Sequence, residues 1–151
     1  MSRRLPDTSA RAQPENVAVL LREAFVALND LALARLAAEG HGAVRSPHSA
    51  VFQYLDDAGT TVSLLAERAQ VTKQSMAELV RHLEAHGYVE RVPAATDRRA
   101  KLVRATGRGR EVYAIVRGFV IETEARLTEA LGADGVRRLR RDLEAIRRAT
   151  P

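Results

Sequence analysis

The 151-residue sequence contains no cysteine. This absence excludes disulfides, thiolate metal ligands, cysteine nucleophiles and thiol redox sensing. Tryptophan is also absent and aromatic residues make up only 4% of the chain, so the core must be built from Leu, Val, Ala and Ile. Glycine is scarce, at 9 residues, and a chain rich in Ala, Leu, Arg and Glu favours helices.

Long apolar runs are missing as well. The longest, such as Val17 to Leu21, fall far short of the roughly 20 residues that span a bilayer, and the polar start lacks the apolar segment of a signal peptide. The expectation is one cytoplasmic domain. A net charge of +5 and a pI near 10.4 indicate a polyanionic partner, either nucleic acid or an anionic membrane surface.

Motifs of catalysis are also lacking. The sequence has no glycine-rich phosphate loop, no His-Glu-x-x-His motif and no Gly-x-Ser-x-Gly elbow. These absences predict that the protein is not an enzyme and that it needs no cofactor or metal.

The first predicted helix runs from Pro14 to Glu39 without a breaker. It is apolar on more than one side, which gives it more surface to bury than one domain needs, and a partner subunit is one explanation. A second helix is predicted to begin at Ser46 and Pro47, with serine as its N-cap, and to stop near Gly59.

Two short helices and a hairpin follow. The helices are predicted at Val62–Ala69, capped by Thr61 or Thr60, and from Lys73 to His86, capped by Thr72. The strands are predicted from Tyr88 to Val92 and from Lys101 to Ala105. A long helix then starts after Thr106 and is broken by Gly132. This order predicts a mainly α fold with a small β-hairpin wing (α+β), the winged helix-turn-helix arrangement.

In that arrangement the second short helix lies in the major groove, where its exposed side chains read bases or contact phosphates. Seven residues are the candidates on this helix and its cap: Thr72, Lys73, Gln74, Ser75, Ala77, Glu78 and Arg81. Arg98, Arg99 and Lys101 in the hairpin add contacts to DNA. From Arg91 to Arg110 the chain holds seven basic residues against one acid, Asp97, which predicts a concentrated basic patch.

At this point the sequence resembles the MarR family of transcriptional regulators. The resemblance rests on Leu65-Ala66-Glu67-Arg68, Val71-Thr72-Lys73-Gln74, Leu79-Val80-Arg81-His82-Leu83-Glu84, Gly87-Tyr88-Val89-Glu90-Arg91 and the wing stretch from Asp97 to Thr106. It covers roughly residues 15 to 148. The resemblance implies that Arg99 enters the minor groove, that Asp97 holds the wing tip by pairing with arginine, and that Thr106 starts the long helix.

The resemblance also implies a homodimer formed by the first and last helices, which reads a pseudopalindromic operator. Residues 1–13 are accordingly predicted to be a disordered basic tail and residues 14–151 a single domain. Within that domain, 14–40 and 107–151 are the dimerisation helices and 46–106 the winged helix-turn-helix lobe. The regulator is expected to be a repressor that a small anionic aromatic effector releases. His41, Arg45 and a protonated His48 are its candidate ligands, with ordinary surface or capping roles as the alternative.

Two departures from the family pattern stand out. Ala105 replaces the usual leucine, which removes some packing under the wing. Gln70 stands where glycine is frequent, so the turn between the two short helices is expected to be looser. The lack of cysteine also argues against a peroxide-sensing branch.

Other interpretations remain open at the level of sequence. A sequence-tolerant DNA-compacting protein would share the basic surface, and a metal-responsive regulator could use His82 and His86, with Glu78, or His41 and His48. A second DNA patch, or only a solvated face, is formed by the arginines near the C-terminus: Arg137, Arg138, Arg140 and Arg141.

Overall fold

A computed structural model describes residues 16–149. The elements are α1 (Val17–Ala38), a 3-10 turn (Ser46–His48), α2 (Ser49–Tyr54), α3 (Val62–Ala69), α4 (Lys73–Ala85), β1 (Val89–Pro93), β2 (Lys101–Ala105) and α5 (Gly107–Ala149). Gly132 interrupts α5 with non-helical backbone at φ 72° and ψ 160°, as the sequence predicted. The mainly helical fold with one antiparallel hairpin is confirmed.

Helix α1 begins at Val17, later than the sequence predicted. Asn16 caps it, because the Asn16 Oδ1 accepts a hydrogen bond from the Ala18 N–H at 3.0 Å. Asparagine is a strong N-cap since its short side chain reaches the free amides of the first turn. Pro14 and the predicted tail at residues 1–13 lie outside the described residues.

The second helix is shorter than predicted and starts differently. Ser46 does not cap it; instead, Ser46 lies in the 3-10 turn, with Pro47 in the first turn. The helix ends at Tyr54 and not near Gly59. Gly59 has a φ of 102° and closes a turn by donating its N–H to the Asp56 carbonyl. A Cβ at Gly59 would lie 2.9 Å from the Leu102 Cβ.

Helices α3 and α4 form the helix-turn-helix. Thr61 caps α3 through the Leu64 N–H, and Thr72 caps α4 through the Ser75 N–H, as predicted. Gln70 adopts the left-handed conformation between them, at φ 55° and ψ 41°. The expected loosening of this turn is therefore not observed, although a left-handed non-glycine residue costs roughly 1–2 kcal/mol.

The hairpin carries a second, short pairing that the sequence did not predict. β1 and β2 pair antiparallel from Val89 with Ala105 to Pro93 with Lys101. Thr60 then forms two backbone hydrogen bonds to Val103, of 2.9 and 2.8 Å, on the free side of β2. The wing is thereby anchored to the segment that precedes α3.

The core lies between α3, α4, the hairpin and the start of α5. Its largest fully buried side chains are Tyr88, Leu65, Met76 and Leu83. Gly109, in the first turn of α5, is buried against the Tyr88 carbonyl, which fixes the angle at which α5 leaves the wing. Within residues 16–149, no helix is long and apolar enough to cross a membrane.

Candidate nucleic-acid interface

The exposed face of α4 presents the predicted reading residues. Thr72, Lys73, Gln74, Ser75 and Glu78 are exposed, whereas Ala77 is half-buried. The opposite face of the helix packs into the core through the buried positions, which are Met76, Val80 and Leu83. The amphipathic spacing of the sequence thus turns one polar face of α4 towards the outside.

Asp97 orders the wing tip in a way that differs from the expected pairing with an arginine side chain. Its Oδ1 accepts a hydrogen bond from the backbone N–H of Arg99 at 2.9 Å, and its carbonyl accepts one from the Ala100 N–H. Such a turn is typical of aspartate, whose short side chain bonds to the backbone two residues on. Asp97 forms no ion pair within the described part of the chain, so the Arg99 guanidinium stays available.

Five cations on α4 and the wing have exposed side chains: Lys73, Arg81, Arg98, Arg99 and Lys101. Within residues 16–149, none of these side chains forms an ion pair or a hydrogen bond. Unneutralised cations beside an exposed polar helix face form a surface that attracts a polyanion.

The rest of the predicted basic patch is neutralised or used internally, so the patch is smaller than the sequence suggested. Arg91 pairs with Glu84 at 3.2 Å, and Arg104 pairs with Glu90 at 2.7 Å. Arg108 lies 4.7 Å from the centre of the Tyr88 ring and donates to the Tyr88 hydroxyl. The sequence-based prediction of the patch did not include Glu84 and Glu90, because both precede the stretch from Arg91 to Arg110.

A polar network behind the wing was not predicted from the sequence. Arg68 on α3 donates to the Asp56 carboxylate at 2.9 Å and to the Tyr54 carbonyl at 2.8 Å. The hydroxyl of Thr60 also donates to that carboxylate, and Thr60 pairs with β2. The network ties the first helix of the helix-turn-helix to the wing. No local sequence pattern predicts this network, because turns separate its members along the chain.

The candidate effector residues do not form one site. Arg45 lines a cavity of about 330 Å³ between α1, α2 and α5, whereas His41 and His48 are buried and do not line it. His41 contacts the Tyr88 hydroxyl at 3.2 Å. Burial lowers the pKa of His48 to about 4, with further contributions from His82, Arg45 and His86, so the expected protonated His48 is wrong at neutral pH.

The cavity itself is mostly apolar, with a few polar groups at its edges. Arg45 is exposed, and its guanidinium has no partner within residues 16–149. Gln53 and Asn29 also line the cavity. Tyr113 closes one wall and donates its hydroxyl proton to the Phe52 carbonyl at 2.6 Å. Burial, together with the charge of Asp57, raises the pKa of Tyr113 to about 12, so Tyr113 stays neutral.

The histidines and C-terminal arginines have other partners. The described residues include no group of three His, Cys, Asp or Glu side chains placed to hold a metal ion. Three of the C-terminal arginines pair with nearby carboxylates: Arg137 with Asp134, Arg140 with Glu124, and Arg141 with Asp142. Arg138 is the remaining one of the four C-terminal arginines that the sequence suggested as a second DNA patch. The pairing makes this face less cationic than its sequence suggests.

The fold and this exposed cationic surface define a winged helix-turn-helix protein. Residues 44–100, which contain α2 to α4 and the start of the wing, match the model of the MarR family. The resemblance to the MarR family is thereby confirmed over this stretch of the chain.

Solved structures share the fold over most of the chain. CouR from Rhodococcus jostii RHA1, bound to p-coumaroyl-CoA, is 23% identical with a TM-score of 0.69, covering 90% of this chain and 94% of its own. FabT of Streptococcus pneumoniae in complex with DNA is 16% identical with a TM-score of 0.75, covering 87% and 93%. A MepR variant of S. aureus bound to an oligodeoxyribonucleotide is 19% identical with a TM-score of 0.58, covering 91% and 99%. Among curated proteins, none matches the chain.

Proposed function

We propose that this chain is a homodimeric, sequence-specific DNA-binding transcriptional regulator that represses its target and is released by a small anionic aromatic ligand. The observation that carries the proposal is the surface formed by α4 and the wing tip. There, α4 and the wing carry five unpaired cations, and α4 exposes a polar first turn while its opposite face packs into the core. Two such helices in a dimer would enter successive major grooves about 34 Å apart.

Two kinds of contact are expected at this surface. Lysine and arginine side chains on α4 and the wing would neutralise phosphates or enter a groove, which supplies most of the affinity. Gln74, which is exposed in the first turn of α4, would bond an adenine edge with both atoms of its amide. FabT, which has this fold, is solved in complex with DNA, and this supports DNA binding by the present chain.

Arg99→Ala should weaken binding to all DNA sequences by roughly tenfold, because one phosphate or groove contact is lost. The slope of log affinity against log salt should fall by about one.

Gln74→Ala should instead make the free energy of binding less favourable by about 1–3 kcal/mol, and only on the cognate site. The measurement is fluorescence anisotropy with DNA from upstream of the protein's own gene and with random DNA, each at two salt concentrations.

Arg126→Ala is the matched control, since Arg126 is an exposed arginine on α5 outside the α4 and wing surface. It should leave both affinities unchanged. Equal affinity of the wild type for the two DNAs would favour a DNA-compacting protein, because a regulator discriminates by about 10³ or more. An unchanged affinity of Arg99→Ala would refute the wing contact.

The dimer is supported by the apolar surface that the protomer leaves exposed. On α1 only Leu36 is buried, while Phe25 is 61% exposed. On α5, Val120 and Ile121 are exposed as well. A shallow groove between the two helices is lined by Phe25, Leu28 and Phe119, among others. A second copy of the chain would bury these residues and set the spacing of the two reading helices.

The ligand is proposed to occupy the cavity between α1, α2 and α5. Its apolar walls suit an aromatic ring, and the Arg45 guanidinium can form a charge-assisted bond to a carboxylate. The cavity lies between the helices proposed for dimerisation and the DNA-binding lobe, so a ligand there could change the spacing of the α4 helices. Release of DNA requires that the ligand prefer the arrangement that does not bind DNA.

Arg45→Met should weaken binding of 4-hydroxybenzoate, a small anionic aromatic probe, by about tenfold or more. The reason is the loss of a charge-assisted hydrogen bond, worth about 1.5–3 kcal/mol, while the length of the side chain is kept. Isothermal titration calorimetry measures the affinity. Arg22→Met, which removes an exposed charge of α1 outside the cavity, is the control. Equal affinity of both variants and wild type would place the ligand elsewhere.

A further inference from the structure

Three of the four histidines form one stack at the side of α4. The rings of His48 and His82 are nearly parallel, with centres 4.3 Å apart and planes at 11°. The ring of His86 continues the stack 4.3 Å from His82, tilted by 32°. His48 belongs to the turn before α2, whereas His82 and His86 lie at the end of α4, so the stack joins two elements.

Hydrogen bonds fix the protonation state of His48. The backbone N–H of Arg45 donates to the His48 Nδ1 at 2.9 Å, so this nitrogen must carry a lone pair and no proton. The side chain is only 4% exposed. A proton on Nδ1 would set two N–H groups against each other and break the bond that starts the 3-10 turn.

The other two imidazoles form hydrogen bonds to carbonyl oxygens, and that of His82 joins α4 to another segment. The His82 Nε2 lies 2.8 Å from the Ala43 carbonyl oxygen and must donate to it, since a carbonyl only accepts. The His86 Nδ1 likewise donates to the His82 carbonyl oxygen at 2.8 Å. The bond from His82 to Ala43 ties α4 to the segment that follows α1.

The charged neighbours of His48 are all basic. Burial comes first among the causes that lower the pKa of His48 to about 4, and His82, Arg45 and His86 follow. Within residues 16–149, none of the three stacked rings forms an ion pair with a carboxylate.

The carboxylates on the surrounding elements are engaged elsewhere or form no ion pair with the stack. Glu39, at the end of α1, pairs with Arg35, and Glu84 on α4 pairs with Arg91. Glu111 on α5 faces His41 at 3.7 Å. Glu78, one turn before His82, forms no ion pair among the described residues. A proton that enters the stack therefore meets no compensating negative charge.

We propose that the stack of His48, His82 and His86 is a proton-operated clamp, which holds α4 against the segment 43–48 while the His48 ring is neutral and releases α4 when His48 gains a proton in acid. Where it concerns DNA, this inference rests on the proposed function. Release would change the presentation of α4, so acid would weaken DNA binding.

The expected effect of pH on the opening of the stack follows from the difference between the pKa of His48 in the closed and the open state. His48 titrates near 4 in the closed stack and near its ordinary 6.5 once the stack opens. Opening is therefore favoured by up to about 30-fold at pH 5 relative to pH 7.5. General electrostatics acts in the opposite direction, because added positive charge strengthens binding to DNA. A loss of DNA affinity in acid would thus be specific to the clamp.

Amide hydrogen exchange tests the clamp without DNA. Protection factors, which correct for the intrinsic pH dependence of exchange, should fall between pH 7.5 and 5 at the Arg45 amide and along α4, by up to about 30-fold. The β1 and β2 amides serve as the internal reference. His48→Asn keeps an acceptor for the Arg45 N–H but does not titrate, so its protection should stay constant. A parallel fall in variant and wild type would overturn the proposal.

Two further variants guard against misfolding. His86→Asn changes an exposed residue and retains a donor for the His82 carbonyl, so it should fold and show a smaller response to pH. His41→Gln removes the one histidine outside the stack and should keep the full response in the Arg45 amide. If His41→Gln abolished the response while His86→Asn kept it in full, the stack would not be the sensor.

DNA-binding measurements at two pH values distinguish this inference from the proposed function. Affinity for DNA upstream of the protein's own gene should fall from pH 7.5 to 5 in the wild type and not in His48→Asn. Absence of any binding at pH 7.5 would overturn the proposed function and leave the exchange result to decide the clamp. Binding at pH 7.5 that is unchanged or stronger at pH 5 would overturn the release of DNA by the clamp.

Discussion

Gly109→Ala should destabilise the fold by about 3 kcal/mol, measured by urea denaturation. A Cβ at this position would lie 2.2 Å from the Tyr88 carbonyl oxygen and 3.3 Å from the Ala105 Cβ. Both neighbours are held in place, since Tyr88 is fully buried and its carbonyl accepts the Thr106 N–H. The first turn of α5 would have to move off the hairpin, and overpacking of this kind costs about 1–3 kcal/mol or more.

Gly107→Ala is the matched control for this prediction. Gly107 lies in the same helical turn but is exposed, and the nearest atom to its added Cβ is the mobile end of Arg110, at 3.8 Å. Alanine in a helix is better than glycine by up to about 1 kcal/mol, so this variant should be neutral or slightly more stable. A loss of equal size in the two variants would point to helix initiation and not to the contact with Tyr88.

Phe25→Glu should convert the proposed dimer into a monomer and weaken DNA binding by at least 100-fold. The side chain is 61% exposed on α1 and lies at the groove between α1 and α5. In a dimer it would become buried, and a buried carboxylate without a partner costs several kcal/mol. Loss of the second reading helix then removes the avidity of two linked sites, which is worth about 10²–10⁴. Analytical ultracentrifugation and fluorescence anisotropy measure the two effects.

Leu64→Glu provides the control for oligomeric state. Leu64 is another exposed large apolar residue, 37% exposed, but it lies on α3 outside the groove. This variant should sediment as the wild type does. If Phe25→Glu also kept the mass of the wild type, the α1 and α5 surface would not be the interface. Dilution of the wild type should lower its melting temperature, since folding is linked to association in a dimer.

Elements with local causes could be predicted from the sequence. The caps of α3 and α4 are threonines whose hydroxyls bond to amides three residues on, so a short stretch of chain contains both partners. Gly132 interrupts α5 as predicted. The two helix ends that differ from the prediction also have local causes. Asn16 caps α1, whereas the sequence predicted a start at Pro14. Helix α2 ends at Tyr54, not near Gly59, because the following residues form a turn.

The candidate sites could be predicted only in part. The exposed face of α4 follows from its periodicity, but the charge of the wing depends on partners that the fold brings together. Arg104 pairs with Glu90 across the strands, and Arg68 reaches Asp56 across a turn. The same reason applies to the candidate effector residues: of His41, Arg45 and His48 only Arg45 lines the cavity, because proximity along the chain does not place residues around one cavity.

The sequence by itself determined the order of elements, the face of α4 that is exposed and the exclusion of thiol chemistry, because these depend on residue type and on spacing of a few residues. Only the tertiary structure decided which arginines remain unpaired, where the cavity lies and how the histidines stack. These features join residues far apart in the chain, as His82 to Ala43 and Tyr113 to Phe52 show. Their geometry is set by the packing of whole helices, and packing is a property of the folded chain that no local pattern contains.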